Sequence, residues 1–197
     1  MKLWFAAVRP ARHVAAMAFW GVVLGLLHGK RAAIPSISLG TLTDAPLLAI
    51  VTLVPATLLV MTLTRVPAHL LVLSVRSTAL VSVGLILGCL AMLFAGAMVT
   101  TSWDGAFEVS RNTAGLFGLA VLGRAVMADA GQLLFPMSFV MLCFLFGNMP
   151  GASAPSWWAW LLQDGMVLIA AVQAILLAGI GLVLVPKLPQ LALRKGQ

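Results

Sequence analysis

Charge is what this chain lacks first. Only 9% of its 197 residues are charged and five are acidic, against roughly 25% charged residues in soluble domains. That leaves too little polar surface to keep a chain of this length dispersed in water. Tyrosine is absent and there are two cysteines, Cys89 and Cys143, both inside apolar runs. They read as small buried apolar residues, with no disulfide required and no metal-ligand spacing. The acidic residues Asp44, Asp104, Glu108, Asp129 and Asp164 and the histidines His13, His28 and His69 all fall at the edges of apolar runs or between them. No Ser or Cys has a His within motif reach, no HExxH occurs, and no pair of carboxylates is expected to share a helix face. A GxxxxGK[ST] phosphate loop is also missing, so ATP is not bound by that route in this chain. The reading is of a protein without catalytic residues, cofactor or metal of its own. A proton-coupled carrier or ion channel is disfavoured too, because no ionisable group lies well inside an apolar run, where its cost would mark function.

What the chain has is hydrophobic length. Hydrophobic residues make up 62% of it, and its mean hydropathy is +1.10. Several runs reach the ~20 residues that a helix needs to cross a ~30 Å hydrocarbon layer. The runs are continuous and do not alternate, which excludes the ~10-residue pattern of a membrane barrel. The expected fold is all-α, a polytopic membrane protein of about six transmembrane helices over 14–27, 46–64, 77–100, 112–127, 132–147 and 165–185. Residues 1–13 form a basic segment before the first helix, fitting either an interfacial helix or a simple flank. Residues 186–197 form a basic tail. The first run follows Lys2, Arg9 and Arg12 as in a signal peptide, but ends at Gly29-Lys-Arg31 with no cleavage site, and reads as an uncleaved span. Runs four and five meet at Arg124-Ala-Val-Met-Ala-Asp129, a tight hairpin or a re-entrant pair.

The net charge of +7 does not point to nucleic acid, because the basic residues never gather into a stripe. Their order gives a topology instead. Positive residues are retained on the cytoplasmic side. With six spans, one side holds Lys2, Arg9, Arg12, Arg65, Arg76, Arg124, Lys187, Arg194 and Lys195; the other holds only Lys30, Arg31 and Arg111. Both termini are therefore expected in the cytoplasm. Trp103, Trp157, Trp158 and Trp160 then fall on the outer side, where indole rings favour the headgroup layer. The stretch 155–162 is expected as an aromatic anchor, or as a short helix lying flat on the outer face that gates or contacts a ligand.

Within the spans, small residues recur at four-residue spacing: Gly21 and Gly25, Gly84 and Gly88, and Ala170, Ala174 and Ala178. Such faces let two backbones approach closely, inside the chain or between copies. Gln173 is the most conspicuous polar residue within a span and reads as a contact between helices or a pathway group. Pro55 and Pro136 interrupt spans two and five, where each removes a backbone bond and allows a kink. Between spans two and three, residues 65–76 are too apolar for a solvated loop. Bounded by Arg65 and Arg76 and opened by Pro67, with His69 inside, they fit either an early start to span three or a short inner helix that docks a soluble partner.

These elements together resemble the membrane subunit of an ATP-binding-cassette exporter of the ABC-2 type, as found in actinobacteria. The resemblance rests on the basic N-terminal segment, six spans, inside termini and the short segment after span two. It rests more narrowly on Ser110-Arg-Asn-Thr-Ala-Gly-Leu-Phe-Gly-Leu-Ala-Val-Leu-Gly-Arg124 and Pro155-Ser-Trp-Trp-Ala-Trp-Leu-Leu-Gln-Asp164, within residues 60 to 185. It implies a permease in a bacterial plasma membrane, paired with a second copy or a paralogous permease. A separate ATPase subunit, carrying ATP and Mg, would dock on Arg65, Pro67, His69 and Arg76. The uncharged lining implies an amphipathic or lipid-like cargo such as a peptide antibiotic, a drug or a lipid. Two other readings stay open: a non-transporting membrane component such as an immunity or assembly protein, and a small secondary carrier.

Overall fold

The computed structural model describes residues 10–36, 41–64, 75–148 and 154–188. The chain is mostly helical. Helix α1 spans Pro10–Leu27; a two-stranded ribbon follows, β1 (Arg31–Ser36) antiparallel to β2 (Thr41–Pro46), with Ala32 opposite Ala45 and Ala33 opposite Asp44. Next come α2 (Leu47–Val51), α3 (Leu53–Thr64), α4 (Val75–Met98), α5 (Trp103–Phe146), a 3-10 turn at Trp160–Leu162, α6 (Leu168–Leu184) and a second 3-10 turn at Val185–Lys187. Three helices are long and apolar enough to cross a membrane: Pro10–Leu27, Leu80–Met98 within α4, and α5.

The ribbon departs from the all-α expectation. Its sequence, Ile34-Pro-Ser-Ile-Ser-Leu-Gly-Thr-Leu-Thr43, alternates small polar and apolar residues and offers no long apolar face to bury as a helix. Pairing the two halves satisfies the main chain locally, and the bond from Leu47 N–H to the Lys30 carbonyl, 3.1 Å long, closes its base.

Helix boundaries track the apolar runs except at α5. That helix begins at Trp103, nine residues before the expected 112, because Ser102 caps it and Asp104 sits in its first turn, where a negative charge favours the helix dipole. Its dihedrals are helical except at Met127 and Ala128, where Ala128 adopts φ 56° and ψ −139°. The chain folds back here: the main chain of Gly131 packs against Gly123 so tightly that a Cβ on either would overlap the other's carbonyl. Arg124 pairs with Asp129 and donates to Gln132 Oε1 at 2.9 Å. The break thus falls inside the short segment predicted for a turn, and α5 consists of two arms, 103–127 and 128–146. Pro136 does not interrupt the second arm, contrary to expectation; it is buried within helical backbone. The interruption expected at Pro55 appears at Thr52, between α2 and α3. Pro55 lacks the N–H that would have bonded to Val51.

Packing is organised by missing side chains. α1 lies along α4 in the same direction: the main chain of Ala18 fills the space a Cβ on Gly96 would need, Leu93 and Ala97 that of Gly21, and Ala97 with Thr100 that of Gly25. The Thr100 hydroxyl donates to the Val22 carbonyl at 3.1 Å. The first arm of α5 runs along α6 in the same way, Gly118 meeting the main chain at Leu177 and Ala178, with Ala170, Ala174 and Gly181 buried. The two GxxxG motifs therefore differ. Gly21 and Gly25 are used within the chain, whereas Gly84 and Gly88 have nothing within 4 Å. Gly21→Leu is expected to cost about 3 kcal/mol or more, since the clash is with backbone and no low-energy rotamer avoids it. Gly84→Leu should stay within about 0.5 kcal/mol of the parent. Paired thermal unfolding curves in detergent check this, and equal losses would contradict the α1–α4 contact.

Candidate functional site

The longer α5 brings polar residues into the bundle that the apolar runs leave outside it. Asp104, Glu108 and Arg111 recur at i, i+4 and i+7, and so lie on one face of the first arm. Two carboxylates do share a helix face, contrary to the sequence expectation. His28, just past the end of α1, lies over Gly105, and its Nε2 is 3.4 Å from Glu108 Oε2. Glu108 and Asp164 are both within Coulombic reach of Arg111.

Arg111 is the centre of the cluster and is only 5% exposed. Its Nη1 donates to the carbonyls of Asp164 at 2.6 Å and Gly165 at 3.1 Å. Nη2 donates to those of Trp160 at 3.1 Å and Gln163 at 2.7 Å. Nε and Nη2 both reach Asn112 Oδ1 at 3.1 Å. Every face of the guanidinium fork is thereby engaged, and four main-chain carbonyls of an irregular segment are satisfied by one side chain. Irregular backbone away from water is tolerated only when such partners exist. Bonds to a charged donor contribute roughly 1.5–3 kcal/mol each, which offsets the cost of burying the cation.

The segment held this way is 154–167. Within it 155–162, read from sequence as an aromatic anchor or a flat surface helix, forms no surface helix, and its tryptophans divide between surface and core. Trp160 and Leu161 are buried in the 3-10 turn, and the Trp160 ring stacks on Phe139 in the second arm of α5 at 5.5 Å. Its other face rests on Gly115 of the first arm, where a Cβ would strike the ring. Ser156 N–H bonds to the Gly147 carbonyl at 2.7 Å, and Gln163 Nε2 to that of Ser156 at 3.1 Å. The segment thus places the Trp160 ring between the two arms of α5.

The other residues singled out by sequence are divided. Trp157 and Trp103 are exposed, as an interfacial belt requires, although Trp103 also meets Phe94 edge-on at 5.0 Å. Trp158 is half-buried against the core, and Trp160 is a core residue, so it is corrected from the outer interface. Gln173 does not join two helices; its Nε2 donates to the Trp157 carbonyl at 3.1 Å, tying α6 to the same segment. Arg65, Pro67 and His69 lie outside the described residues, and Arg76 falls in the first turn of α4. Cys89 and Cys143 are free and buried. Among the described residues, no group of three or more His, Cys, Asp or Glu side chains is arranged to hold a metal ion.

Arg111 was missed as a functional residue because it reads as a basic flank before an apolar run. The signals available were the Ser102 cap with Asp104, and Glu108 three residues before Arg111. Comparison with known proteins adds no family to this description: no protein family, no curated protein and no solved structure matches the chain.

Proposed function

We propose that the chain is the membrane permease subunit of an exporter of the ABC-2 type, moving an amphipathic or lipid-like substrate with energy from a separate ATPase. The observation that carries the reading is the direction of the helical segments. α1 and α4 run parallel, the first arm of α5 and α6 run parallel, and the two arms of α5 are opposed across Met127 and Ala128. In this reading α2 with α3 counts as one crossing and α5 as two, which makes six crossings of alternating direction, and the excess of Lys and Arg on one side supports both termini lying in the cytoplasm, beneath a bacterial plasma membrane. The lipid reading is supported by what the helices leave uncovered. Leu168, Ile175, Leu176 and Val183 of α6 and Met141 and Leu142 of α5 are all exposed, which is unfavourable in water and favourable among acyl chains.

In this reading the chain supplies the passage and its partner supplies ATP and Mg. The ATPase docks on residues 65–76, and a second permease copy or paralogue completes the transporter. Purified from its native membrane in detergent, the chain is expected to bring a nucleotide-binding subunit with it. Replacing 65–76 with a Gly/Ser linker should abolish both co-elution and substrate-stimulated ATP hydrolysis. A chain that purifies alone and drives transport in proteoliposomes from an ion gradient, without ATP, would overturn the proposal. Cysteines placed at Ala154, which is exposed, and at Ser74 test the orientation: an impermeant reagent added outside should reach the first and not the second.

A further inference from the structure

We infer that residues 154–167 are a movable plug at the outer end of the bundle, with Arg111 as the latch that seats it. The inference draws on the reading above only for the bilayer and its orientation, and holds equally for a chain that never meets an ATPase.

Two sets of contacts from α5 seat the plug, beside the bonds from Ser156 N–H to the Gly147 carbonyl and from Gln173 Nε2 to the Trp157 carbonyl. One is the Trp160 ring between Phe139 and Gly115. The other is the Arg111 fork on the carbonyls of Trp160, Gln163, Asp164 and Gly165. Apart from its 3-10 turn, the segment has no repeating backbone ladder to fix it; Arg111 stands in for one. Arg111, 49 to 54 residues away in the chain, is the side-chain partner of four of its carbonyls, and losing that one side chain frees all four together.

Against the closed position stands a set of unsatisfied groups. Among the described residues, the buried polar side-chain atoms with no hydrogen-bond partner are Ser110 Oγ, Asn112 Nδ2, Ser156 Oγ, Gln163 Oε1 and Gln173 Oε1. Ser156 and Gln163 belong to the plug, Asn112 and Gln173 bond to Arg111 and to Trp157, and Ser110 precedes the latch. Native interiors rarely leave such atoms unpaired. Here four of the five belong to the segment or to residues bonded to it or to its latch, and raising the segment is what would let water reach them. Closed, the plug gains the Trp160 contacts and the latch; raised, it regains hydration of those atoms. An element with opposed terms of this kind has two positions and not a continuum of them. Arg111 acts by positioning the plug, not by meeting a transported molecule.

The chain carries its own reporter. Cys143 is fully buried, and Leu162 and Ala159 pack over the adjoining turn at Gly147, whose N–H bonds to the Cys143 carbonyl. The test uses full-length chain in proteoliposomes with Cys89→Ala, and an impermeant trimethylammonium methanethiosulfonate added outside. Cys143 should react slowly. Arg111→Gln should speed its modification by about tenfold or more, as the charge-assisted bonds are lost. Gly115→Ala, which leaves the latch intact and pushes on the Trp160 ring, should also accelerate it; Arg111→Lys, with fewer donors in a different geometry, should fall between. Ala154→Cys, with Cys143 replaced by Ala, reports which side the reagent reaches, and a cooperative thermal transition in each background shows the variants folded. If Ala154→Cys labels only from the inner side, the orientation is wrong and the latch is judged with reagent on that side. The plug is overturned if Cys143 stays equally unreactive in both variants. For variants that fail to fold, hydrogen exchange on the parent decides. The amides of 156–165 should exchange together and faster than those of 115–121, and protection equal to the helix overturns the inference.

Discussion

Gly131→Val is expected to separate the two arms of α5, with the largest loss of stability of any single change away from the plug. The main chains of Gly123 and Gly131 touch directly, and a Cβ on Gly131 would overlap the Gly123 carbonyl and press on Met127. The obstacle is backbone on a tight turn, so no rotamer of a neighbour relieves it. Overpacking ordinarily costs about 1–3 kcal/mol; here the arms must move apart, and about 3 kcal/mol or more is expected. For a chain of this size that lowers Tm by roughly 6–12 °C. Gly179→Val is the control, because Gly179 of α6 has nothing within 4 Å of its Cβ position and should shift Tm by little. Thermal unfolding in one detergent reads both. Equal shifts would mean that the chain does not reverse at Met127 and Ala128.

Trp160→Ala should rank next, for a different reason. The indole is 2% exposed, and stacks on Phe139 while its other side covers Gly115. Truncation opens a cavity between the Phe139 ring and the Gly115 main chain, and Trp→Ala in a core costs about 3–5 kcal/mol. Trp157→Ala, three residues earlier, removes a ring that is 65% exposed and should stay within about 0.5 kcal/mol. Denaturation monitored by near-ultraviolet circular dichroism separates the two, since only the packed indole has a fixed environment. If both substitutions cost the same, the 3-10 turn does not insert between the arms.

The contrast between these neighbouring tryptophans shows where sequence reasoning succeeds. Long apolar runs locate helices because a run of that length has few ways to satisfy its backbone. Accordingly α1, α4 and α6 appear within a few residues of expectation, as does the turn at Arg124–Asp129. The start of α5 is harder to see, because Asp104, Glu108 and Arg111 interrupt the apolar residues of its first turns, and an uninterrupted apolar run begins only after Asn112. Ser102 and Asp104 were the readable signs. Arg111 and Trp160 are harder still. The carbonyls that bury Arg111 come 49 to 54 residues later in the chain, and the seat for Trp160 is the side chain that Gly115 does not have. Composition cannot distinguish a tryptophan facing headgroups from one that finds a glycine across the bundle. The partner of Gln173 is hidden for the same reason: the Trp157 carbonyl belongs to an irregular segment with no sequence period. The ribbon at Arg31–Pro46 is hard to read from sequence because its alternation is short and interrupted by Pro35.

The reversal at Ala128 also constrains how the protein is made. So short a turn offers no slack between the arms. In the proposed bilayer arrangement, a ribosome that has delivered the first arm cannot park it across the membrane while the second waits outside. Arg124 and Asp129, paired across the bend, must stay on the side of synthesis, and the arms enter the lipid together as a preformed hairpin.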